Sequence, residues 1–552
     1  MLSEYLLEDF KNIDELRQKY PKIIFRQITD AVYIVEVPPE GKDELEVLVM
    51  NTEYIQEVYL YGLNSEESLQ ESGILVFHNY PYGQLRGNGV LLGFLDTGID
   101  YTNDVFRYED GSSRILSIWD QTLEGNVPFN LGFGAEFTKT EIDAALKTMD
   151  PFSLVPTKDE IGHGTYIAGL AGGKDRPGYT NYVGAAPDSD FIVVKMREAS
   201  HDLKEHFFIK DSVTAYSDGA ILTALNYLVN KSAELERPLV ICVAVGNNFG
   251  GHDGTNVIER YIQSLTLVPG LVIVTAAGNE GNSGHHYKGK LSQGEKKSVE
   301  VNIAEGENGF ILSLWTKSID KMSIGIRTPI GQVVERVPLN PYKKENFKFS
   351  LQKSEVTIEY KYPDSNTGGE SIKISLKNPI PGIWQIDVYG DYIINGTFDM
   401  WIPRTGFVEA NTRFSEPNLE TTVCVPATET YSIVVGGYDE VDKSLYAASG
   451  RGPTRQNIIK PDLIAPSISV EGPIINGSPL SYTGTSVGAS ITAGACALLL
   501  QWSIIEGNLP TINTRIAKEV LIRGANRQPG IDYPNNIEGY GRLDFQNSFL
   551  VM

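Results

Sequence analysis

Continuous apolar runs of strand length recur along this chain, and several of them end in a turn that contains glycine. Such runs lack the apolar and polar alternation of a half-exposed strand, so they are typical of strands buried on both faces of a parallel sheet. The pattern predicts an α/β fold, in which a parallel sheet carries helices on both faces. The runs cover residues 90–95, 239–247, 271–277 and 430–437.

A different pattern occupies residues from about 290 to 404, where apolar and polar residues alternate with period two. Short alternating strands separated by turn residues are typical of a β sandwich or jelly roll, so we predict an inserted β jelly-roll domain over 290–404. Its aromatic residues exceed what a small sandwich core requires, and we expect them to pack on the α/β part. The alternative is an independent module on flexible joints. These aromatic residues are Tyr342, Tyr360, Tyr362, Tyr389 and Trp401.

The first part of the chain has an amphipathic start, then strand-like stretches, then a polar segment. This order predicts a small α+β unit over residues 1–70. The strand-like stretches cover 31–37, 45–50 and 55–61. With the insert, the predicted α/β domain then divides into a first part over 71–289 and a second part over 405–552.

Composition excludes several classes of function. The 552 residues, 41% of them apolar, are enough for two or three domains. A formal net charge of −23 opposes a nucleic-acid-binding surface. No uninterrupted apolar stretch approaches the length of about 18 residues that a membrane span needs, and the N-terminus lacks the basic start of a secretory signal. The cysteines Cys242, Cys424 and Cys496 cannot pair completely, so we expect buried free thiols and a protein not built for an oxidising compartment.

The candidate chemistry lies in three short motifs: Asp96-Thr97-Gly98, Gly162-His163-Gly164 and Gly484-Thr485-Ser486. A carboxylate, an imidazole and a hydroxyl in this order are the parts of a nucleophilic triad. Asp96 follows a buried strand, and open α/β sheets place their sites at that end of the strands. We therefore predict that Asp96 orients the base His163, which activates Ser486. Asp100 is the alternative acid, although the Thr-Gly turn favours Asp96.

These motifs resemble those of the subtilisin-like serine proteases, the subtilases. The buried strand 271–277 is followed by Gly278-Asn279, and the resemblance implies that Asn279 donates its side-chain amide to the oxyanion. The backbone N–H of Ser486 would be the second donor. Tyr166 and the run 487–490 depart from the usual family pattern, but neither departure removes a proton donor, a proton acceptor or the nucleophile.

The resemblance also implies how substrate is held. Val245, Gly246 and Asn247 resemble the edge strand of the subtilase cleft, which pairs with the substrate backbone. Residues 1–70 resemble a propeptide whose tail lies in the cleft and is cut by the enzyme itself, with Leu69 and Gln70 in the expected cleavage region. This propeptide would then stay bound as a non-covalent partner. The alternative is an ordinary N-terminal subdomain that is never cleaved.

Two further sequence segments narrow the resemblance to one group of subtilases. They are Val76-Phe77-His78-Asn79 and Ile118-Trp119-Asp120-Gln121-Thr122. Together with the insert, they are similar to the Csp germination proteases of clostridial spores. That similarity implies limited proteolysis of a protein substrate, the precursor of the spore cortex hydrolase, in the cortex or coat region of the spore. A cytoplasmic location is the alternative. Two other functions are alternatives. One is a non-catalytic signalling relative, which the intact triad opposes. The other is a general intracellular subtilase, which the insert opposes.

No metal and no cofactor is assigned from the sequence. The loop 250–254 contains His252 and Asp253, but this composition is more typical of a turn beside the cleft. The pair His285-His286 is too short a signal for zinc. A calcium site remains open because of the acidic surplus, although no ligand spacing for it is visible.

Overall fold

An antiparallel sheet and its covering helices open the chain. The computed structural model describes all residues except 1–2, 9–12, 30–31, 52–54, 58–59, 64–71, 79–83, 176–181, 318, 342, 350–352 and 476–477. The first strands pair in the order β2-β3-β1-β4, and the helices pack on them around a small apolar core. The elements are β1 Ser3–Glu8, α1 Ile13–Lys19, β2 Ile24–Gln27, β3 Val32–Val37, α2 Lys42–Asn51, β4 Ile55–Glu57 and β5 Leu60–Leu63.

The α/β part follows and is interrupted by the insert. Its first half contains β6 Leu91–Asp96, β7 Ile115–Asp120, β8 Ala135–Thr138, α3 Lys139–Ala145, α4 His163–Gly172, β9 Asp190–Lys195, α5 His201–His206, β10 Tyr216–Ser217, α6 Asp218–Glu234, β11 Leu239–Val243, β12 Val245–Gly246, α7 Val257–Leu265 and β13 Leu271–Ala276. The insert contains β14 His286–Lys290, β15 Lys296–Ile303, β16 Gly309–Thr316, β17 Lys321–Arg327, β18 Val333–Val337, β19 Glu345–Phe349, β20 Ser354–Lys361, β21 Ser371–Lys377, β22 Gly382–Tyr392, β23 Thr397–Trp401 and β24 Arg413–Phe414. The second half contains β25 Ile433–Tyr438, β26 Leu463–Pro466, β27 Val470–Ile475, β28 Ser478–Tyr482, α8 Thr485–Leu500, α9 Thr514–Gly524 and α10 Phe545–Leu550.

The central sheet has the strand order β26-β25-β13-β11-β6-β9-β7-β8. Its pairs are parallel except for β7 with β8, which is antiparallel. In β6, Leu92 and Phe94 face a core formed with α4 and α8, whereas Leu91 and Leu95 face a second core formed with α6 and α7. The predicted α/β architecture, with helices on both faces of the sheet, is therefore confirmed.

One helical run has the composition of a membrane span. Thr485–Ile505 is long and apolar enough by length and hydropathy, although the sequence suggested no such stretch. Every residue of α8, which forms most of this run, is nevertheless buried inside the protein. The apolar composition is explained by the position of α8 in the core, where it packs against α4, β11 and β13.

The insert forms, within its described residues, two antiparallel sheets with the orders β14-β23-β16-β21-β20-β19 and β18-β17-β22-β15-β24. Apolar side chains from both sheets share one core. Strand β20 shows the expected alternation of buried and more exposed positions along its length. The predicted β insert is thus present as two packed sheets, and its jelly-roll classification stays a prediction.

The structure differs from the sequence prediction in two places. Residues 45–50 are helical, not a strand: Leu45 and Leu48 lie one turn apart against the sheet, while Val47 and Val49 are exposed. The alternating valines imitate a strand, but the helical spacing of the leucines decides the conformation. The insert is also longer than 290–404, because β14 already pairs with β23 and the β24 strand pairs with β15.

Candidate active site

Asp96 and His163 form the first contact of the site. Asp96 is the last residue of β6, at the carboxyl end of the central sheet, and it is fully buried. Its Oδ1 lies 2.8 Å from Nδ1 of His163 and also accepts the backbone N–H of Thr97 at 2.8 Å. A buried carboxylate on Nδ1 fixes the ring orientation and favours the tautomer that leaves Nε2 as the base.

His163 begins α4, and a nearby carboxylate holds this end of the helix. Asp159 accepts the backbone N–H of Gly162 at 2.7 Å and that of Thr165 at 2.8 Å. The backbone N–H of Gly164 is bound by the Thr97 hydroxyl at 2.9 Å. These contacts satisfy N–H groups that the first turn of a helix leaves without partners, so they set the position of His163 relative to β6.

Ser486 completes the predicted set. It is the second residue of α8 and is buried, and its Oγ lies 3.3 Å from Nε2 of His163. This distance is slightly long for a hydrogen bond, which is common before a substrate carbonyl is in place. The structure therefore brings Asp96, His163 and Ser486 together in the predicted order. The alternative acid, Asp100, instead accepts both the N–H and the hydroxyl of Thr102.

Asn279 lies beside the start of the same helix. It follows Gly278, whose φ of +90° favours glycine, in the turn after β13. The side-chain Oδ1 of Asn279 accepts the backbone N–H and the hydroxyl of Thr485, each at 3.1 Å. The Thr485 hydroxyl also accepts the N–H of Gly278 at 3.0 Å. The turn that carries Asn279 is thus tied to the residue before Ser486.

The predicted edge strand of the cleft holds a segment of the same chain. Strand β5 lies between β10 and β12, with Gly246 opposite Gly62 and Val245 opposite Leu63. Asn247, the third predicted residue, instead exchanges backbone hydrogen bonds with Val425, at 3.0 and 2.9 Å. Its backbone N–H and carbonyl are bound to Val425, and Asn247 lies outside the pairing with β5. Leu69 and Gln70 lie outside the described residues.

Several residues that organise the site were missed by the sequence analysis. Asp159 and Thr485 contribute through contacts that span the α4 and α8 termini, and Glu280 is buried next to Asn279. The acidic residue four positions before the base has partners three and six residues away, so it was a visible local signal. The partner of Thr485 is 206 positions away, and no local pattern indicates it. Tyr166, noted as a departure, donates its hydroxyl to Val470 in the β27–β28 hairpin.

The three cysteines are buried and unpaired, as predicted. Burial raises the pKa of each thiol far above its ordinary value, so these side chains are neutral and unsuited to nucleophilic work. Among the described residues, no cluster of three or more His, Cys, Asp or Glu side chains could hold a metal ion. The loop with His252 forms a contact with the insert, where the imidazole stacks on Trp401.

This fold and this arrangement of an acid, a base and a hydroxyl define a serine protease of the subtilisin type. The chain belongs to the subtilase family: the model of that family, peptidase S8, matches residues 87–307 and 407–541. The gap between the two matched segments contains most of the insert.

Solved structures agree with this assignment. The structure of the CspB protease of Clostridium perfringens is similar, with 33% identity and a TM-score of 0.77, over 87% of this chain and 97% of that chain. Fervidolysin from Fervidobacterium pennivorans, a keratinolytic enzyme related to subtilisin, has a TM-score of 0.51 at 11% identity and covers 100% of this chain and 61% of its own. At that identity the second similarity concerns the fold alone.

Sequence relatives match shorter segments. The membrane-bound transcription factor site-1 protease of Mus musculus is 30% identical over 133 residues, which is 23% of this chain and 12% of the relative. Serine protease AprX of Bacillus subtilis is 29% identical over 150 residues, which is 23% of this chain and 31% of AprX. The chain therefore spans much less than half of either relative.

Proposed function

We propose that this protein is a serine endopeptidase that cuts its own N-terminal segment and then activates a zymogen by limited proteolysis. The observation that carries the proposal is the contact series at the carboxyl end of the sheet. Asp96 lies 2.8 Å from His163, and His163 lies 3.3 Å from Ser486. These are the contacts that activation of a serine hydroxyl requires.

The chemistry would follow the triad mechanism. Oγ of Ser486 attacks the carbonyl carbon of the scissile bond while Nε2 of His163 takes the hydroxyl proton. Asp96 stabilises the imidazolium, which then protonates the leaving amine; water hydrolyses the resulting acyl-enzyme in the reverse sense. In this proposal the Asn279 amide and the backbone N–H of Ser486 stabilise the oxyanion.

Self-cleavage is supported by the position of β5. Backbone pairing on both sides, with β10 and with β12, is how a cleft holds an extended substrate. Residues 64–71 continue from this strand, so the bond cut would lie in or near that segment. After cleavage the N-terminal unit would remain as a non-covalent partner, because Arg197 of the α/β part is near Glu36 at 3.4 Å and Glu4 at 3.6 Å.

The proposed substrate is the precursor of the spore cortex hydrolase, and the proposed location is the spore cortex or coat region. Similarity to the CspB protease at 33% identity supports this over other zymogens, together with the resemblance of the sequence to Csp germination proteases. The β insert opposes a general degradative subtilase, because it suggests a constrained enzyme with few substrates. A non-catalytic relative would not need the intact triad.

Intact mass spectrometry of the purified protein beside its Ser486→Ala variant tests the proposal. The wild-type protein should give two fragments that co-elute in gel filtration, and Ser486→Ala should give one full-length chain. Identical cleavage of both proteins would mean that a foreign protease made the cut. Addition of the purified hydrolase precursor should then give one defined product with the wild-type protein and none with Ser486→Ala; extensive fragmentation would favour a degradative enzyme.

A further inference from the structure

Two segments of the insert meet at one buried carboxylate, that of Glu280. Glu280 directly follows Asn279 and is 2% exposed. Its Oε2 is 2.7 Å from Nδ1 of His285, at the point where the chain enters the insert. Its Oε1 accepts the backbone N–H of Thr405 at 3.0 Å, in the segment of the insert between β23 and β24. The turn after β13 is therefore held by the entry of the insert and by the segment between β23 and β24.

The carboxylate is kept charged in this position. Burial alone would raise its pKa, but the charge and hydrogen bond of His285, the charge of Arg404 and the N–H of Thr405 outweigh burial and lower the pKa of Glu280 to about 2. A buried, multiply hydrogen-bonded anion has little freedom to move, because each displacement leaves a charge without its partners.

Arg404 extends this network to β12, the edge strand of the cleft. Its guanidinium Nη1 donates to the backbone carbonyl of Gly246 at 3.1 Å, and its Nε donates to the carbonyl of Thr405 at 3.2 Å. Gly246 is the residue of β12 that lies opposite Gly62 of β5. Asn248, two residues further along, donates its Nδ2 to Glu280 at 3.2 Å and to the carbonyl of Ile402 at 3.3 Å.

We propose that Glu280 is a positioning residue for the peptidase reaction and that Arg404 positions the strand that holds substrate. The inference rests on the proposed function, in which Asn279 stabilises the oxyanion. Thr485 fixes Asn279 from the side of the nucleophile helix. Glu280 fixes the same turn from the side of the insert. These two segments of the insert thus belong to the catalytic architecture, since a donor must be placed before charge develops on the oxyanion.

A matched control exists at the same interface. Asp399 is a buried carboxylate of the insert, 3.2 Å from Nε2 of His286 and 3.6 Å from Nε of Arg455. The contact with Arg455 joins the insert to the α/β part, the contact with His286 lies within the insert, and neither involves Glu280. Asp399→Asn therefore tests loss of a buried interface charge, and Glu280→Gln tests loss of the charge beside Asn279.

The experiment measures kcat and KM of the full-chain variants on a synthetic peptide that covers residues 60–72 of the protein. We expect Glu280→Gln to lower kcat by about tenfold or more with KM changed less than about twofold, because misplacement of a donor affects mainly the transition state. Asp399→Asn should keep kcat within about twofold of the wild type. Arg404→Lys should mainly raise KM, because lysine keeps the charge but loses the paired donors that reach Gly246 and Thr405.

The results decide whether Glu280 positions the Asn279 turn or is only one of several buried charges at the interface. Equal losses of kcat in Glu280→Gln and Asp399→Asn, or an unchanged kcat in Glu280→Gln, would overturn the positioning role. If Glu280→Gln does not fold, Arg404→Lys decides: a raised KM supports the network and an unchanged KM overturns it. A wild-type protein that leaves the peptide intact, as Ser486→Ala does, would instead refute the proposed function.

Discussion

Thr485 donates both its backbone N–H and its hydroxyl to the side-chain oxygen of Asn279, each at 3.1 Å. The residue before the nucleophile therefore orients the amide that we propose as oxyanion donor. Because the oxygen of that amide is the bonded atom, the contact determines how the whole side chain is rotated. The residue next to the nucleophile thus contacts the proposed oxyanion donor directly, and this contact acts beside the one that Glu280 makes on the side of the insert.

Replacement of Thr485 by Val tests this contact. The variant keeps a similar shape but loses the hydroxyl that binds Asn279 and Gly278, so kcat should fall by about tenfold with a smaller change in KM. Thr492→Val is the matched control in the same helix: its buried hydroxyl binds only the carbonyl of Gly488 among the contacts described. Rates on the 60–72 peptide provide the measurement. A similar loss in both variants would attribute the effect to helix stability.

The triad was predictable because each of its members lies at or next to the end of a regular element and has a glycine within two residues. Asp96 ends β6, His163 begins α4 and Ser486 lies in the first turn of α8. The supporting contacts were not predictable from one sequence. Thr485 and Asn279 are 206 positions apart, and local patterns contain no information on such a pair.

Contacts between distant parts of the chain also explain where the sequence prediction was wrong. Residues 45–50 contain alternating valines, yet the burial of Leu48 against the N-terminal sheet selects a helix. Tertiary packing overrides local preference in such short segments.

Of the aromatic residues of the insert that were expected to contact the α/β part, Trp401 does so, whereas Tyr360 is buried within the core of the insert itself. Tyr342 lies outside the described residues.

Arg197 should control how firmly the N-terminal unit is retained. Its guanidinium lies near the carboxylates of Glu4 and Glu36, and all three side chains are largely buried. Removal of this cation leaves Glu4 and Glu36 without a cation of the α/β part, since the other partner of Glu36, Arg26 at 3.0 Å, belongs to the N-terminal unit. We expect Arg197→Ala to lose its N-terminal fragment during gel filtration. Lys348→Ala, which removes an exposed ion pair with Glu355, should retain it. Retention by both variants would contradict the prediction.

The raised pKa of Glu370 predicts that the insert loses stability as pH rises. Its side chain is buried; Oε2 accepts the backbone N–H of Met322, and burial raises the pKa to about 8 from an ordinary 4.5. The folded state therefore favours the neutral acid. Its contribution to stability is complete below pH 4.5 and is lost as pH rises through about 8.

Glu370→Gln should remove this dependence. Between pH 5 and pH 9 the free energy of unfolding of the wild-type protein should fall relative to that of the variant, by an amount on the order of a few kcal/mol. Denaturant titrations at both pH values measure the difference. Glu355→Gln, at an exposed carboxylate of the neighbouring strand, should follow the wild type. Parallel pH curves for the wild type and Glu370→Gln would show that Glu370 is not protonated in the folded protein.

The contact between insert and α/β part should make them unfold together. The Trp401 ring is stacked between His252 of the α/β part and His286 of the insert, with centroid distances of 4.2 and 4.7 Å. Arg455 adds a buried connection, since Nη2 donates to the carbonyl of Thr316 at 2.7 Å and Nη1 to that of Gly251 at 3.0 Å. A contact of this kind, apolar and hydrogen-bonded at once, restricts independent domain motion.

Calorimetry and limited proteolysis measure this coupling. The wild-type protein should show one unfolding transition and resist added protease near residues 285–295 and 403–415. Arg455→Ala should separate the transition into two and expose those junctions, because it leaves carbonyls and two carboxylates at the interface without their cation. Arg336→Ala is the matched control, since Arg336 binds Asp391 and Ser323 within the insert. Two transitions and early cuts in the wild-type protein would instead describe an insert that is tethered loosely, and the positions of Glu280 and Arg404 would then fluctuate too much to set the geometry of the cleft.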